Sequence, residues 1–265
     1  MNEPANLSRR AAARGVAVGA GHLLRGFRLL KEPGIRVFVV IPLCINLLVF
    51  AGLIWLFGDR FDALLDYLTP RLPDWLAWLA WLAWILFAVL AALLLFYTFT
   101  LLANLISAPF NGFLAERVAR HLGVEPPAMQ QAPLWQEMWT DIRQEFRKLG
   151  YFLSRAAGLA LLSLVLIFIP LVNAVIPLLW FLFGAWMLAL EYSDFHLANQ
   201  GYRFEQERRL LRSNLGSSLG FGATAALATL IPFVNFLVMP AAVAGATALW
   251  CEHLSKDAES PSIPS

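Results

Sequence analysis

Four stretches of this chain contain no Asp, Glu, Lys, Arg or His: 37–57 (21 residues), 75–115 (41), 156–190 (35) and 213–251 (39), together about half of its 265 residues. A helix rises 1.5 Å per residue and needs about 20 apolar residues to cross a hydrocarbon core about 30 Å thick, so runs of this length mark segments solvated by lipid. Hydrophobic residues make up 59% of the chain and charged ones only 14%, against about a quarter charged in ordinary globular domains. The expected class is an all-α integral membrane protein.

Charge placement sets an expected orientation. Of the 20 basic residues, only Arg60 and Arg71 fall between the first two apolar stretches, where they sit among four aspartates. Loops rich in Lys and Arg stay cytoplasmic. If the first two stretches cross and the last two enter and leave on one side, 18 basic residues lie inside and two outside. Both chain ends are then cytoplasmic in a multi-pass inner-membrane protein. The near balance of 20 basic and 18 acidic residues leaves no excess charge for a nucleic-acid partner.

The last two stretches carry an internal repeat that lets each fold back on itself. Phe168-Ile169-Pro170-Leu171-Val172-Asn173, followed by Pro177, corresponds to Leu230-Ile231-Pro232-Phe233-Val234-Asn235, followed by Pro240. Proline removes a backbone donor and asparagine favours a turn or cap, so each element reads as the tip of a helical hairpin. In the third stretch the charge-free arms flanking the prolines reach about 20 Å, which predicts insertion without crossing. Non-helical backbone at such a tip needs cover from protein or a watery cavity.

The full expected organisation is a single membrane domain. It comprises a basic cytoplasmic N-terminal helix over 1–36, a transmembrane helix over 37–57 and a long transmembrane helix over 75–107 that ends near Ser107-Ala108-Pro109 and restarts inside. An amphipathic surface helix over 135–155 follows, then re-entrant hairpins over 156–190 and 213–251 and a flexible tail over 252–265. Trp75, Trp78, Trp81 and Trp84 read as an interfacial anchor.

Catalytic chemistry has no candidate set. Gly216-Ser217-Ser218-Leu219-Gly220 matches the hydrolase pattern Gly-x-Ser-x-Gly, but no histidine lies in a long apolar stretch to serve as base. Small residues at Gly216, Ser218, Gly220 and Gly222 instead suit close helix packing. Cys44 and Cys251 are isolated, and no metal or cofactor motif occurs.

Binding is better supported. Pro33 is placed to stop one helix and start the next, whose N-terminal amides then face Arg25, Arg28, Lys31 and Arg36. That arrangement suits a tetrahedral oxyanion, with Gly26 admitting a ligand to the backbone; the same cluster also fits ordinary anchoring beside lipid headgroups. Asn46, Asn104, Asn111, Asn173 and Asn235 interrupt apolar runs, either as helix breakers or as lining of a polar route. Glu116, Glu191 and Asp194, at the inner ends of the stretches, read as interfacial ion pairs or as a charged gate.

Over roughly residues 21–250 the sequence resembles the CysZ-type sulfate permeases of the bacterial inner membrane. The resemblance rests on Pro33-Gly34-Ile35-Arg36 with Pro42 and Asn46, on Ala108-Pro109-Phe110-Asn111-Gly112-Phe113-Leu114-Ala115-Glu116, on the run from Leu179 to Ala189, and on Met239-Pro240-Ala241 with the run from Gly245 to Trp250. It implies sulfate uptake feeding cysteine biosynthesis, with sulfite and related oxyanions as possible cargo, and a homo-oligomer with two long membrane helices and two partly inserted hairpins. The family's sulfate motif, Gly-Leu-Arg, has its counterpart in Gly26-Phe27-Arg28, with Phe27 in place of leucine. Arg25, Asn46, Asn111, Glu116, Asn173 and Asn235 are then candidate pathway or gate residues. Family members are described as assembling in opposite orientations, against which the 18-to-two bias stands. The competing reading is a non-transporting membrane scaffold that binds anionic lipid or a soluble partner.

Overall fold

The computed structural model describes residues 3–68, 80–125, 134–169 and 172–257. The described residues form eight α-helices: α1 (Glu3–Leu29), α2 (Pro33–Leu68), α3 (Ala80–His121), α4 (Leu134–Leu166), α5 (Ile176–Asn199), α6 (Phe204–Ser213), α7 (Leu215–Thr229) and α8 (Pro232–Leu249). Among the described residues, four segments are long and apolar enough to cross a membrane: Pro33–Trp55, Ile142–Leu166, Val172–Asn199 and Pro232–Leu254. The chain is an all-α membrane protein.

Its helices fall into two compact units. One comprises Val37–Phe110, the bodies of α2 and α3, in which the rings of Phe50 and Phe99 meet at 4.8 Å. Two expectations change there. Helix α2 continues past 57 to Leu68, and α3 runs unbroken through Pro109 to His121 instead of ending near Ser107. Proline costs a helix one hydrogen bond and some crowding, which a long helix can absorb locally.

The other unit comprises Met1–Arg36 and Asn111–Ser265, and its centre is α8. All ten residues from Ala241 to Trp250 are buried, so the C-terminal half of this helix is covered on every side; α1, α5 and α7 pack around it. Helices approach this closely only where side chains are small. A Cβ at Gly26 would fall on the Ala241 carbonyl oxygen and 2.8 Å from the Gly245 nitrogen, and one at Gly222 would fall on the Ala185 carbonyl. The small-residue run of α7 is therefore a packing surface, with Ser218 Oγ 2.9 Å from the Leu211 carbonyl as its donor.

Both expected hairpins form. In the first, cross-links step away from the tip: Trp180 Nε1 donates to Ser163 Oγ at 3.1 Å, Phe152 stacks on Phe183 at 5.7 Å, and Trp186 Nε1 donates to Tyr151 OH at 3.1 Å. These pairs centre near residue 170, as the sequence repeat predicts. Helix α4 ends at Leu166, a 3-10 turn covers Val172–Val175, and α5 begins with Pro177 in its first turn. In the second, Ile231 is extended (φ −92°, ψ 109°) and Pro232 opens α8, as sterics before proline demand. Apolar side chains crown the tips: Phe168 is 79% exposed and Phe233 88%.

Three boundaries differ from expectation. The surface helix (135–155) and the first hairpin arm are one continuous helix, α4. Charge-free length therefore understates the arms: α5 alone has 24 residues, about 36 Å, so length does not prevent crossing. Residues 250–257 are helical, with a π turn over Trp250–Leu254 and a 3-10 turn over Ser255–Asp257; the remainder of the expected tail, 258–265, lies outside the described residues.

Candidate functional site

Helix α1 presents two faces. One, through Gly19 and Gly26, seats against the backbones of α7 and α8. The other lines an open recess of about 470 Å³ with Val18, Gly21, His22, Arg25, Arg28 and Glu32 among its walls, residues spaced three or four apart on one side of a helix. Arg28 is exposed in this recess, while Phe27 is half-buried. The space at Gly26 where a ligand is expected to reach the backbone is taken by α8, because that glycine lies on the packed face.

Arg25 is committed to an ion pair. Its Nη1 donates to Glu252 Oε2 and its Nη2 to Glu252 Oε1, each at 2.5 Å, a bidentate fork that joins α1 to the C-terminal end of α8. Arg28 takes part in no ion pair shown among the described residues, and its charge faces the recess.

At the end of α1 the chain turns through Leu30-Lys31-Glu32 and restarts at Pro33, with the amides of Ile35 and Arg36 both bonded to the Glu32 carbonyl at 2.9 Å. A second recess, of about 270 Å³, lies at this helix start and is lined by Glu32, Gly34, Ile35, Arg117, Arg120 and His121. The Arg117 guanidinium lies so near Gly34 that a Cβ there would be 2.9 Å from Nη2. Positive side chains from α3 thus meet the N-terminal end of the α2 dipole, and both favour an anion. The sequence marks Pro33 and Gly34, but nothing local to Arg117 and Arg120 marks them as their neighbours.

The other expected pathway residues do not converge on one point. Asn111 is buried, with Nδ2 3.7 Å from Met239 Sδ on α8. Glu116 pairs with Arg120 at 2.5 Å one turn along α3. Asn173 and Asn235 are exposed at the two hairpin tips, and Asn46 is half-buried in α2.

A charged junction joins α4, α5 and α6. Lys148 Nζ donates to Asp194 Oδ2 at 2.5 Å and to Glu145 Oε1 at 2.8 Å, so Asp194 is the ion-pair partner expected of an arginine-rich inner end. Glu207 on α6 is fully buried against this group. Its burial, together with the Asp194 carboxylate beside it, pushes its carboxyl well above the usual carboxylate range despite the opposing charge of Lys148. Glu207 escapes sequence reasoning, since Phe204-Glu205-Gln206-Glu207-Arg208-Arg209 reads as a solvated charge run.

Comparison with known proteins adds a separate line of information. Residues 22–240 match the family model described as sulfate transporter CysZ/etoposide-induced protein 2.4. A sulfate transporter CysZ of Pseudomonas fluorescens is 47% identical over 89% of this chain and 93% of its own length. Proteins of the same name from Pseudomonas aeruginosa (46% identical, 88% of this chain and 94% of the relative) and Salmonella paratyphi A (41%, 88% and 92%) are similar over the same extent.

Proposed function

Because the chain belongs to the sulfate transporter CysZ/etoposide-induced protein 2.4 family, we propose that it carries sulfate across the bacterial inner membrane and supplies sulfur for cysteine biosynthesis. The observation that carries the site assignment is the recess on the free face of α1, where Arg28 stands exposed beside the committed Arg25. A dianion entering a membrane protein loses part of its water shell, and a guanidinium replaces it with paired charge-assisted hydrogen bonds. In this reading Gly26 seats the turn against α8, Phe27 and Arg28 complete it, and Arg117 and Arg120 at the start of α2 add to the attraction. Asn111, Asn173 and Asn235 line the polar route, which a homo-oligomer closes around the hairpins. Both chain ends face the cytoplasm, since each hairpin returns its arms to one side whatever its depth of insertion. Catalysis has no part in this function.

The test is uptake of labelled sulfate by vesicles containing only the purified protein, with and without a proton gradient and with sulfite and thiosulfate as competitors. Arg28→Ala is expected to weaken sulfate affinity about tenfold or more, since a hydrogen bond to a charged group is worth about 1.5–3 kcal/mol. Arg143→Ala, on the exposed surface of α4, is expected to leave it unchanged. Equal effects of the two refute the site. Absence of flux supports the scaffold alternative, a protein whose basic face binds anionic lipid or a soluble partner.

A further inference from the structure

Just beyond the end of α8, the neighbouring side chains of Glu252 and His253 meet that of His22 on α1, about 230 positions earlier in the chain. His22, Glu252 and His253 each bring one potential ligand atom within 4.8 Å of the other two, the only such trio of His, Cys or carboxylate groups among the described residues. His22 Nδ1 lies 2.7 Å from the Val18 carbonyl. A carbonyl only accepts, so the Nδ1 proton is fixed and the neutral ring keeps its lone pair on Nε2. That lone pair faces Glu252 Oε2 at 3.3 Å. Two acceptors in this position repel each other unless a cation lies between them. Ligands about 2.0–2.1 Å from a tetrahedral ion stand about 3.3 Å apart, which matches this separation.

The surroundings fit an ion as well. The Val18 carbonyl behind the imidazole and the Arg25 guanidinium behind the carboxylate are the kind of outer partners that orient metal ligands. The His253 ring stands edge-on to His22 with centroids 4.9 Å apart and is exposed, so it can swing to complete the set. Glu252 and His253 lie in the π turn Trp250–Leu254, a deviation from α geometry that recurs at functional sites. We propose that His22, Glu252 and His253 bind a divalent transition-metal ion of the zinc class, with one position left open toward water. This inference is independent of whether the α1 recess takes sulfate.

The test uses the full chain in detergent, with any affinity tag removed and metals stripped by chelator. Zinc is titrated by calorimetry and cobalt(II) by visible absorption. One zinc per chain with micromolar or tighter affinity is expected, together with the intense visible cobalt band of a four- or five-coordinate site and weakening of both as pH falls through the histidine range. His253→Ala is expected to cost about tenfold or more in affinity, and because its side chain is exposed it tests the site without disturbing the core. His22→Gln and Glu252→Gln are expected to act alike, and His121→Ala, in the other recess, to change nothing. No saturable binding, no cobalt band, or equal losses from His253→Ala and His121→Ala overturns the proposal.

Discussion

Replacing Gly26 by alanine separates a packing role from a ligand-binding one. The added Cβ would lie on the Ala241 carbonyl oxygen, 2.9 Å from its carbon and 2.8 Å from the Gly245 nitrogen. These are backbone atoms in the buried half of α8, so no side chain can turn aside. Restoring ordinary contact near 3.5 Å with that oxygen requires α1 and α8 to part by about 1.5 Å, which forfeits half or more of the dispersion energy across the seam. Overpacking of this kind costs about 1–3 kcal/mol, and rigid neighbours put Gly26→Ala near the top, about 3 kcal/mol. At about 2–4 °C per kcal/mol for a chain of this size, the midpoint should fall by about 6–12 °C. Gly21→Ala is the control: its Cβ would meet nothing within 4 Å, and exchanging glycine for alanine inside a helix gains up to about 1 kcal/mol. Thermal unfolding in detergent, read by size-exclusion chromatography after heating, should give opposite signs at two positions of one helix. Equal midpoints for Gly26→Ala and the parent chain, with sulfate affinity alone reduced, would refute the packing argument.

Three further outcomes follow from the same geometry. Glu207 holds its proton more tightly folded than unfolded, so its contribution to stability is complete below the ordinary carboxylate value of 4.5 and declines as pH rises from there through its raised folded value; Glu207→Gln should unfold at a higher temperature than the parent at pH 8, with the gap closing toward pH 4.5, and a gap independent of pH would contradict this. Lys148→Met removes the cation shared by Asp194 and Glu145, and should cost about 2 kcal/mol in thermal unfolding, while Lys148→Arg keeps most of it; equal losses would point to packing of the alkyl stem instead. A single cysteine at Arg203, after removal of Cys44 and Cys251, should react with impermeant thiol reagents from the cytosolic side, as the two chain ends do. Labelling from the periplasm with both ends cytosolic would end the hairpin topology.

The hairpins were legible because their signal is local: the repeated Ile-Pro-x-Val-Asn element breaks a helix wherever it stands, and both tips fall on it. Lengths were less legible. Counting only charge-free residues truncates these helices at Arg155 and Glu191, yet both residues are exposed within α4 and α5, where a charge on the open face interrupts no backbone hydrogen bond. The role of α1 was half visible. Its arginines suggested a cytoplasmic anchor, whereas Gly15, Gly19 and Gly26 carry the spacing of a packed face, a signal the charges obscured. The approach of Arg117 to Gly34 and of Glu252 to His22 and Arg25 depends on tertiary contacts 83 to 230 positions apart, for which one sequence offers no local trace.

The backbone-on-backbone seam between α1 and its neighbours also limits how such a molecule can operate. Where its glycines meet the backbones of α7 and α8 directly, α1 has no room to slip or roll, and interfaces of this kind repack in discrete jumps or not at all. Arg25 and Arg28 therefore travel as cargo of the second hairpin. Any rearrangement of α1 must carry the second hairpin with it as one block.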